Sequence, residues 1–204
     1  MPQNGTVERE DWNRKHGEAG PLFGVEPNPF LAAEVESLEP GRALDVACGA
    51  GRNAVWLAQR GWTVTGVDFS EVALANARGL AAERGVEVEW VQADLRVWQP
   101  AGAAFDLVAV LYLQLPDEER RLVFGRAADA VAPGGTLLVV GHDLQNLNGG
   151  HGGPKDPRVL FTPADIAAEL PGLEVEKAER VLRPVETEDG EVQAIDALVR
   201  ARRV

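Results

Sequence analysis

Along most of this chain short apolar runs alternate with segments of helical spacing, and glycine or proline marks nearly every change. Strands are predicted over residues 43–47, 63–67, 86–91, 105–111 and 136–140. Helices fit between them. One covers residues 28–38 with Pro29 in its first turn; a second runs from the glycine turn at Gly49 and Gly51 to Arg60 and stops at Gly61. A third is capped by Ser70 and closed by Gly85, and a fourth opens on Asp117, Glu118 and Glu119 and ends before Pro133-Gly134-Gly135. Thr162-Pro163-Ala164-Asp165 reads as a cap with proline at the first helical position. Beyond Leu173 two more strands surround the turn Glu188-Asp189-Gly190, although residues 192–202 have a pattern that suits a helix equally well.

Strands joined through helices must run parallel, and apolar strands must be covered on both faces. The expected fold is therefore α/β and Rossmann-like. It is a doubly wound, mostly parallel seven-stranded sheet with helices on both faces and a C-terminal antiparallel hairpin. Residues 86–91 alternate Val86, Val88 and Trp90 with Glu87 and Glu89, the pattern of a half-exposed edge. The length of 204 residues suits one domain, taken as residues 26–204. Residues 1–25 are polar yet carry Trp12, His16 and Phe23, so part of this segment is expected to dock, as a candidate lid.

Composition removes several classes of partner. The formal net charge is −12, and the cluster Arg200, Arg202 and Arg203 stands alone, which disfavours nucleic acid. No apolar run approaches the roughly 20 residues needed to span a bilayer. A single cysteine, Cys48, rules out an internal disulfide, and no signal-like segment opens the chain; a cytoplasmic monomer or homodimer is expected. No His or carboxylate cluster has metal-ligand spacing.

In such a fold ligands gather at the C-terminal ends of the central strands. The stretch Leu44-Asp45-Val46-Ala47-Cys48-Gly49-Ala50-Gly51 supplies the first of these ends. Gly49 and Gly51 let a ligand approach the backbone, and the helix beyond offers free amides. Asp68, 19 positions after Gly49, suits a carboxylate on ribose hydroxyls. Both features also occur in dinucleotide folds, and Ala54 keeps that alternative, an NAD-dependent oxidoreductase, open. Asp45 separates the two. A pyrophosphate beside an unpaired carboxylate would cost on the order of 4 kcal/mol at about 4 Å and an effective dielectric of about 20. A cationic ligand would be attracted instead.

These segments together resemble class I S-adenosylmethionine-dependent methyltransferases. Residues 44–51 resemble the first signature of that family and Val64-Thr65-Gly66-Val67-Asp68-Phe69-Ser70 the second. Trp90-Val91-Gln92-Ala93-Asp94-Leu95 resembles the adenine-contacting segment, Phe105-Asp106-Leu107-Val108-Ala109-Val110-Leu111 the fourth strand, and Pro133-Gly134-Gly135-Thr136-Leu137-Leu138 the turn into the fifth. Within the family the chain looks closest to the small bacterial tellurite-resistance and thiopurine methyltransferase-like group. The resemblance implies S-adenosyl-L-methionine as cofactor, S-adenosyl-L-homocysteine as product, and a small-molecule acceptor methylated by in-line displacement. It implies that Gly49 and Gly51 meet the methionine portion, that Asp45 receives its ammonium and that Arg52 reaches its carboxylate. Asp68 would hold the ribose, Phe69 would pack on the adenine, and Asp94 with the Leu95 amide would meet its edge. Leu111 would line the methyl-donor site.

Three histidines are present. His142 follows the fifth strand, and His151 stands in Gly149-Gly150-His151-Gly152-Gly153, within an unusually long loop over residues 141–161; both are candidate general bases. His16, Trp12 and Tyr112 are candidate walls of the acceptor pocket. Cys48 has the size to fill the glycine turn and is read as packing. A non-catalytic cofactor-binding protein is the third reading.

Overall fold

Asn28 opens the first long-range packing element: its side chain accepts the Phe30 and Leu31 amides, and Pro29 takes the position that needs no amide. The computed structural model describes residues 9–17, 24–188 and 190–204. Phe23 and Asp189 lie outside the described residues. The elements in chain order are α1 (Arg9–Gly17), α2 (Pro29–Val35), β1 (Arg42–Val46), α3 (Arg52–Gln59), β2 (Thr63–Asp68), α4 (Glu71–Arg84), β3 (Glu89–Gln92), β4 (Phe105–Leu111), α5 (Asp117–Ala130), β5 (Val131–His142), α6 (Pro163–Ala168), β6 (Glu174–Thr187) and β7 (Gly190–Arg202).

The seven strands form one sheet in the order β3-β2-β1-β4-β5-β7-β6. β1 to β5 run parallel, and β7 joins antiparallel to β5 and to β6. The expected class, edge strand and terminal hairpin are thus present. β4 shows why the fold is two-sided. Leu107, Ala109 and Leu111 face a core with Leu31, Leu57 and Trp62, while Val108 and Val110 face a second with Phe124, Phe161 and Ile166.

Three departures from the expectations have a clear physical cause. β3 begins at Glu89, not at residue 86, because α4 closes in a Schellman turn: Gly85 is left-handed, and the Gly85 and Val86 amides return to the Ala82 and Ala81 carbonyls. β5 extends back to Val131. Phe105 pairs with Val131 and Leu107 with Thr136, so Pro133-Gly134-Gly135 bulges out of a longer strand. Residues 192–202, balanced between helix and strand, lie in strand β7, fixed by ladders on both sides.

The long loop is not slack. It winds through two 3₁₀ turns, Leu144–Asn148 and Pro157–Val159. Buried Asn146 braces it, taking the Ile195 amide at 2.8 Å and donating to the Gly152 carbonyl at 3.0 Å. α1 docks on α4, where Ser70 Oγ donates to Asn13 Oδ1 at 2.7 Å and Asn76 donates to the His16 carbonyl at 3.0 Å.

Candidate functional site

β1 lies between β2 and β4, so the helices that follow β1 and β4 leave toward opposite faces and open a crevice at the strand ends. The turn after β1 fills it. Ala47, Gly49 and Gly51 have φ of 58°, 54° and 80°, a left-handed path that glycine adopts without strain. The two glycines serve different ends. A Cβ on Gly51 would stand 2.6 Å from Trp90 and 2.8 Å from Ala77, so this glycine admits packing. A Cβ on Gly49 would meet only the His16 ring, at 3.7–3.9 Å, an ordinary van der Waals contact.

Asp45 lies behind the turn at 1% exposure. One oxygen accepts the Ala54 amide in the first turn of α3, while Oδ2 has no hydrogen-bond partner. Burial pushes its carboxyl up to about 7; the Ala54 amide and the Arg52 charge oppose this, and Asp68 adds to it. The resemblance implies contact with a ligand ammonium; in the structure Asp45 is buried with one oxygen unpartnered. Arg52 opens α3 and couples electrostatically to Tyr112, Asp45 and Arg183.

Asp68 ends β2. Its Oδ2 accepts the Gly49 amide at 2.8 Å and its Oδ1 the Ser70 amide at 2.9 Å. Burial raises its pKa, and those amides and His16 oppose the rise. His16 is itself buried, with its pKa lowered chiefly by burial, and its Nδ1 has no hydrogen-bond partner. Trp12 stands 5.8 Å from the His16 ring, covered by Lys15.

Next to this turn a cavity of about 490 Å³ is lined by Arg9, Phe69, Gln92, Ala93, Asp94 and Arg96. Arg96 grips the Asp94 carboxylate at 2.7–3.1 Å, and this hydrogen bonding, more than any other cause, holds Asp94 below the usual carboxylate range. The Leu95 side chain turns the other way, onto the core under α5. Leu111 is buried at the end of β4. Tyr112 follows it at φ 55°, its amide on the Val140 carbonyl at 2.7 Å.

His142 ends β5 beside Tyr112, with ring centroids 5.0 Å apart. His151 lies on the loop two residues before Gly153, which faces the His142 ring. Its backbone amide binds the Gln193 carbonyl at 2.9 Å and the residue is exposed. Sequence reasoning passed over Asp196 and Arg183, which meet Tyr112 and His142; the signal was a lone carboxylate inside the apolar run Ala194-Ile195-Asp196-Ala197-Leu198. Arg9 and Arg96, which line the same cavity as Asp94, have no sequence signal of their own. Cys48 is buried, and burial raises its thiol well above the usual range, in keeping with packing. Among the described residues no group of three or more His, Cys, Asp or Glu is arranged to hold a metal ion.

Residues 43–135 match the family described as "Methyltransferase domain". The chain is 29% identical over 132 residues to a ubiquinone biosynthesis O-methyltransferase of Coxiella burnetii, covering 63% of this chain and 56% of that protein. It thus spans little more than half the length of this curated relative. Among solved structures it superposes on the N-methyltransferase NodS from Bradyrhizobium japonicum WM9, in complex with S-adenosyl-L-homocysteine, with a TM-score of 0.72. That match has 21% identity and covers 96% of this chain and 97% of NodS. TehB from Haemophilus influenzae gives a TM-score of 0.72 at 17% identity, covering 97% of this chain and 68% of TehB. Both likenesses concern the fold. Residues 43–135 of this chain thus match a methyltransferase-domain family model, within a Rossmann-like seven-stranded fold.

Proposed function

We propose that the chain binds S-adenosyl-L-methionine along the C-terminal ends of β1, β2 and β3 and transfers its methyl group to a small-molecule acceptor. The observation that carries this is Asp45: a buried carboxylate with an unpaired oxygen beside the glycine turn that follows β1. Such a group stabilises a cation seated on the turn and repels a diphosphate. When bound, the cofactor supplies a methyl group on a positively charged sulfur.

The residues present fit the rest of that molecule. The turn at Gly49 seats the amino-acid portion, with His16 Nδ1 and Arg52 as donors toward its carboxylate. Asp68 is oriented by two amides and keeps acceptor capacity for ribose hydroxyls. Phe69 walls the cavity in which an adenine ring lies. Asp94 serves the adenine amine once Arg96 swings toward Glu119, whose Oε2 is 3.9 Å from Arg96 Nη1 and has no hydrogen-bond partner. Leu111, Tyr112 and Trp12 shape the acceptor side. Catalysis then rests on aligning acceptor, methyl and sulfur in a dry pocket. A net charge of −12 disfavours nucleic acid and supports a small acceptor.

Deuteromethyl-labelled cofactor incubated with the protein and a metabolite extract tests the reading by mass spectrometry. A labelled small molecule that requires the protein is expected. Tight cofactor binding with no labelled product from any extract would favour the non-catalytic binding protein.

A further inference from the structure

We propose that Asp196 positions His142 as the proton acceptor for the methyl acceptor, and that this acceptor is a weakly acidic hydroxyl compound of the phenol or enol kind. The inference rests on the methyl-transfer reading above. Asp196 and His142 are cross-strand partners in the β5–β7 ladder, and His142 Nδ1 lies 3.0 Å from Asp196 Oδ1. Asp196 is fully buried and accepts two more hydrogen bonds, from Tyr112 Oη at 2.6 Å and Arg183 Nε at 2.8 Å. Burial opposes its ionisation, but the bonds from His142, Tyr112 and Arg183 outweigh burial and hold its carboxyl below the usual range.

An ionised carboxylate only accepts. The proton between His142 and Asp196 therefore sits on Nδ1, which leaves the Nε2 lone pair available. Among the described residues no side chain or carbonyl partners Nε2, so this nitrogen is left to accept a proton. The ring is also fixed in place. Tyr112 packs on it at an interplanar angle of 58°, and on the loop side a Cβ at Gly153 would stand 2.8–2.9 Å from its atoms. Tyr112 follows Leu111 directly, which sets His142 beside the proposed methyl-donor site.

The chemistry then selects the acceptor. A thiol loses its proton more easily than a phenol and its sulfur is strongly nucleophilic, so it depends less on a base, whereas a phenolic or enolic hydroxyl keeps its proton near neutral pH. As the acceptor oxygen bonds to the methyl carbon, its proton passes to His142 Nε2, and the electron pair of the breaking carbon–sulfur bond returns to sulfur. His142 becomes an imidazolium balanced by Asp196 and releases the proton to water after the product leaves.

Long-range proton–nitrogen correlation spectra of the ¹⁵N-labelled full chain, with His142 assigned through His142→Gln, read the tautomer directly. The expected wild-type state at pH 8 has Nδ1 protonated and Nε2 bare, and Asp196→Asn loses that preference while S-adenosyl-L-homocysteine affinity stays within threefold. Transfer from labelled cofactor to catechol is expected to fall at least 100-fold in His142→Gln and Asp196→Asn, through kcat more than KM. A wild-type ring protonated on Nε2 would overturn the proposal without needing any variant to fold. So would labelled methyl on thiophenol with none on catechol, or an unchanged catechol rate in Asp196→Asn. Failure of S-adenosyl-L-homocysteine to bind the wild type is a separate outcome, and it would remove the cofactor reading instead.

Discussion

The Gly49 amide donates to Asp68 Oδ2 at 2.8 Å, so the carboxylate that ends β2 also holds the turn that ends β1. With the Ser70 amide on its other oxygen, Asp68 fixes the shape of two loops at once. Replacing it by alanine strands both amides. Asp68→Ala is expected to lower stability by about 2–4 kcal/mol, since charge-assisted bonds contribute roughly 1.5–3 kcal/mol each and burial of the acid offsets part of that. Affinity for S-adenosyl-L-homocysteine should fall at least 100-fold. Calorimetric titration beside a melting curve checks both, and unchanged affinity in a folded variant would show that Asp68 does not hold the ribose.

Asp45 makes cofactor binding depend on pH. Its carboxyl is pushed up to about 7, first by burial, and a bound cation favours the ionised form. Affinity for S-adenosyl-L-methionine should therefore rise about tenfold between pH 6 and pH 8, as the ionised fraction grows. In the ligand-free protein the sign is reversed. The folded state holds this proton more tightly than the unfolded chain, so the stability contribution is complete below about pH 4 and is lost as pH rises through about 7. Asp45→Asn should flatten both profiles. An affinity profile equally steep in Asp45→Asn would assign the dependence to another group.

The two glycines of the turn separate packing from binding. Gly51→Ala forces a methyl into Trp90 and Ala77 from a left-handed backbone, and should cost more than about 2 kcal/mol, combining overpacking with backbone strain. Gly49→Ala brings its methyl only into van der Waals contact with the His16 ring and bears mainly the backbone strain, about 1–2 kcal/mol. Its larger effect is expected on cofactor affinity, because the added methyl occupies the proposed ligand position. Equal effects of the two substitutions on affinity, at equal stability, would contradict this division.

Much of this architecture is legible in the sequence because it is encoded locally. Pro29 and Ser70 mark helix starts, Gly85 a helix end, and the alternation at Val88-Glu89-Trp90 an exposed edge. Asp45, Gly49, Asp68 and Asp94 are also findable, since each sits at a fixed offset from a strand end. What was not legible depends on pairing across the chain. Asp196 meets His142 only because β7 folds back antiparallel in one register, and residues 192–202 have no local pattern that decides between helix and strand. Likewise, nothing local says that Asp45 lies behind its turn or that Arg96 occupies Asp94.

The histidines of the long loop and of β5 are expected to behave differently. His151 is exposed and held only through its backbone, so His151→Ala should leave transfer and cofactor affinity within threefold of the wild type. Steady-state rates with labelled cofactor at saturating acceptor measure this. A fall of tenfold or more would bring His151 into the acceptor pocket.

The cofactor assignment is tested most directly by titrating the purified chain with S-adenosyl-L-homocysteine and with NADH, in parallel, by isothermal calorimetry. A single saturable site for S-adenosyl-L-homocysteine, with no heat from NADH, is the expected result. Saturable heat from NADH alone would mean that the crevice beside Asp45 receives a dinucleotide after all.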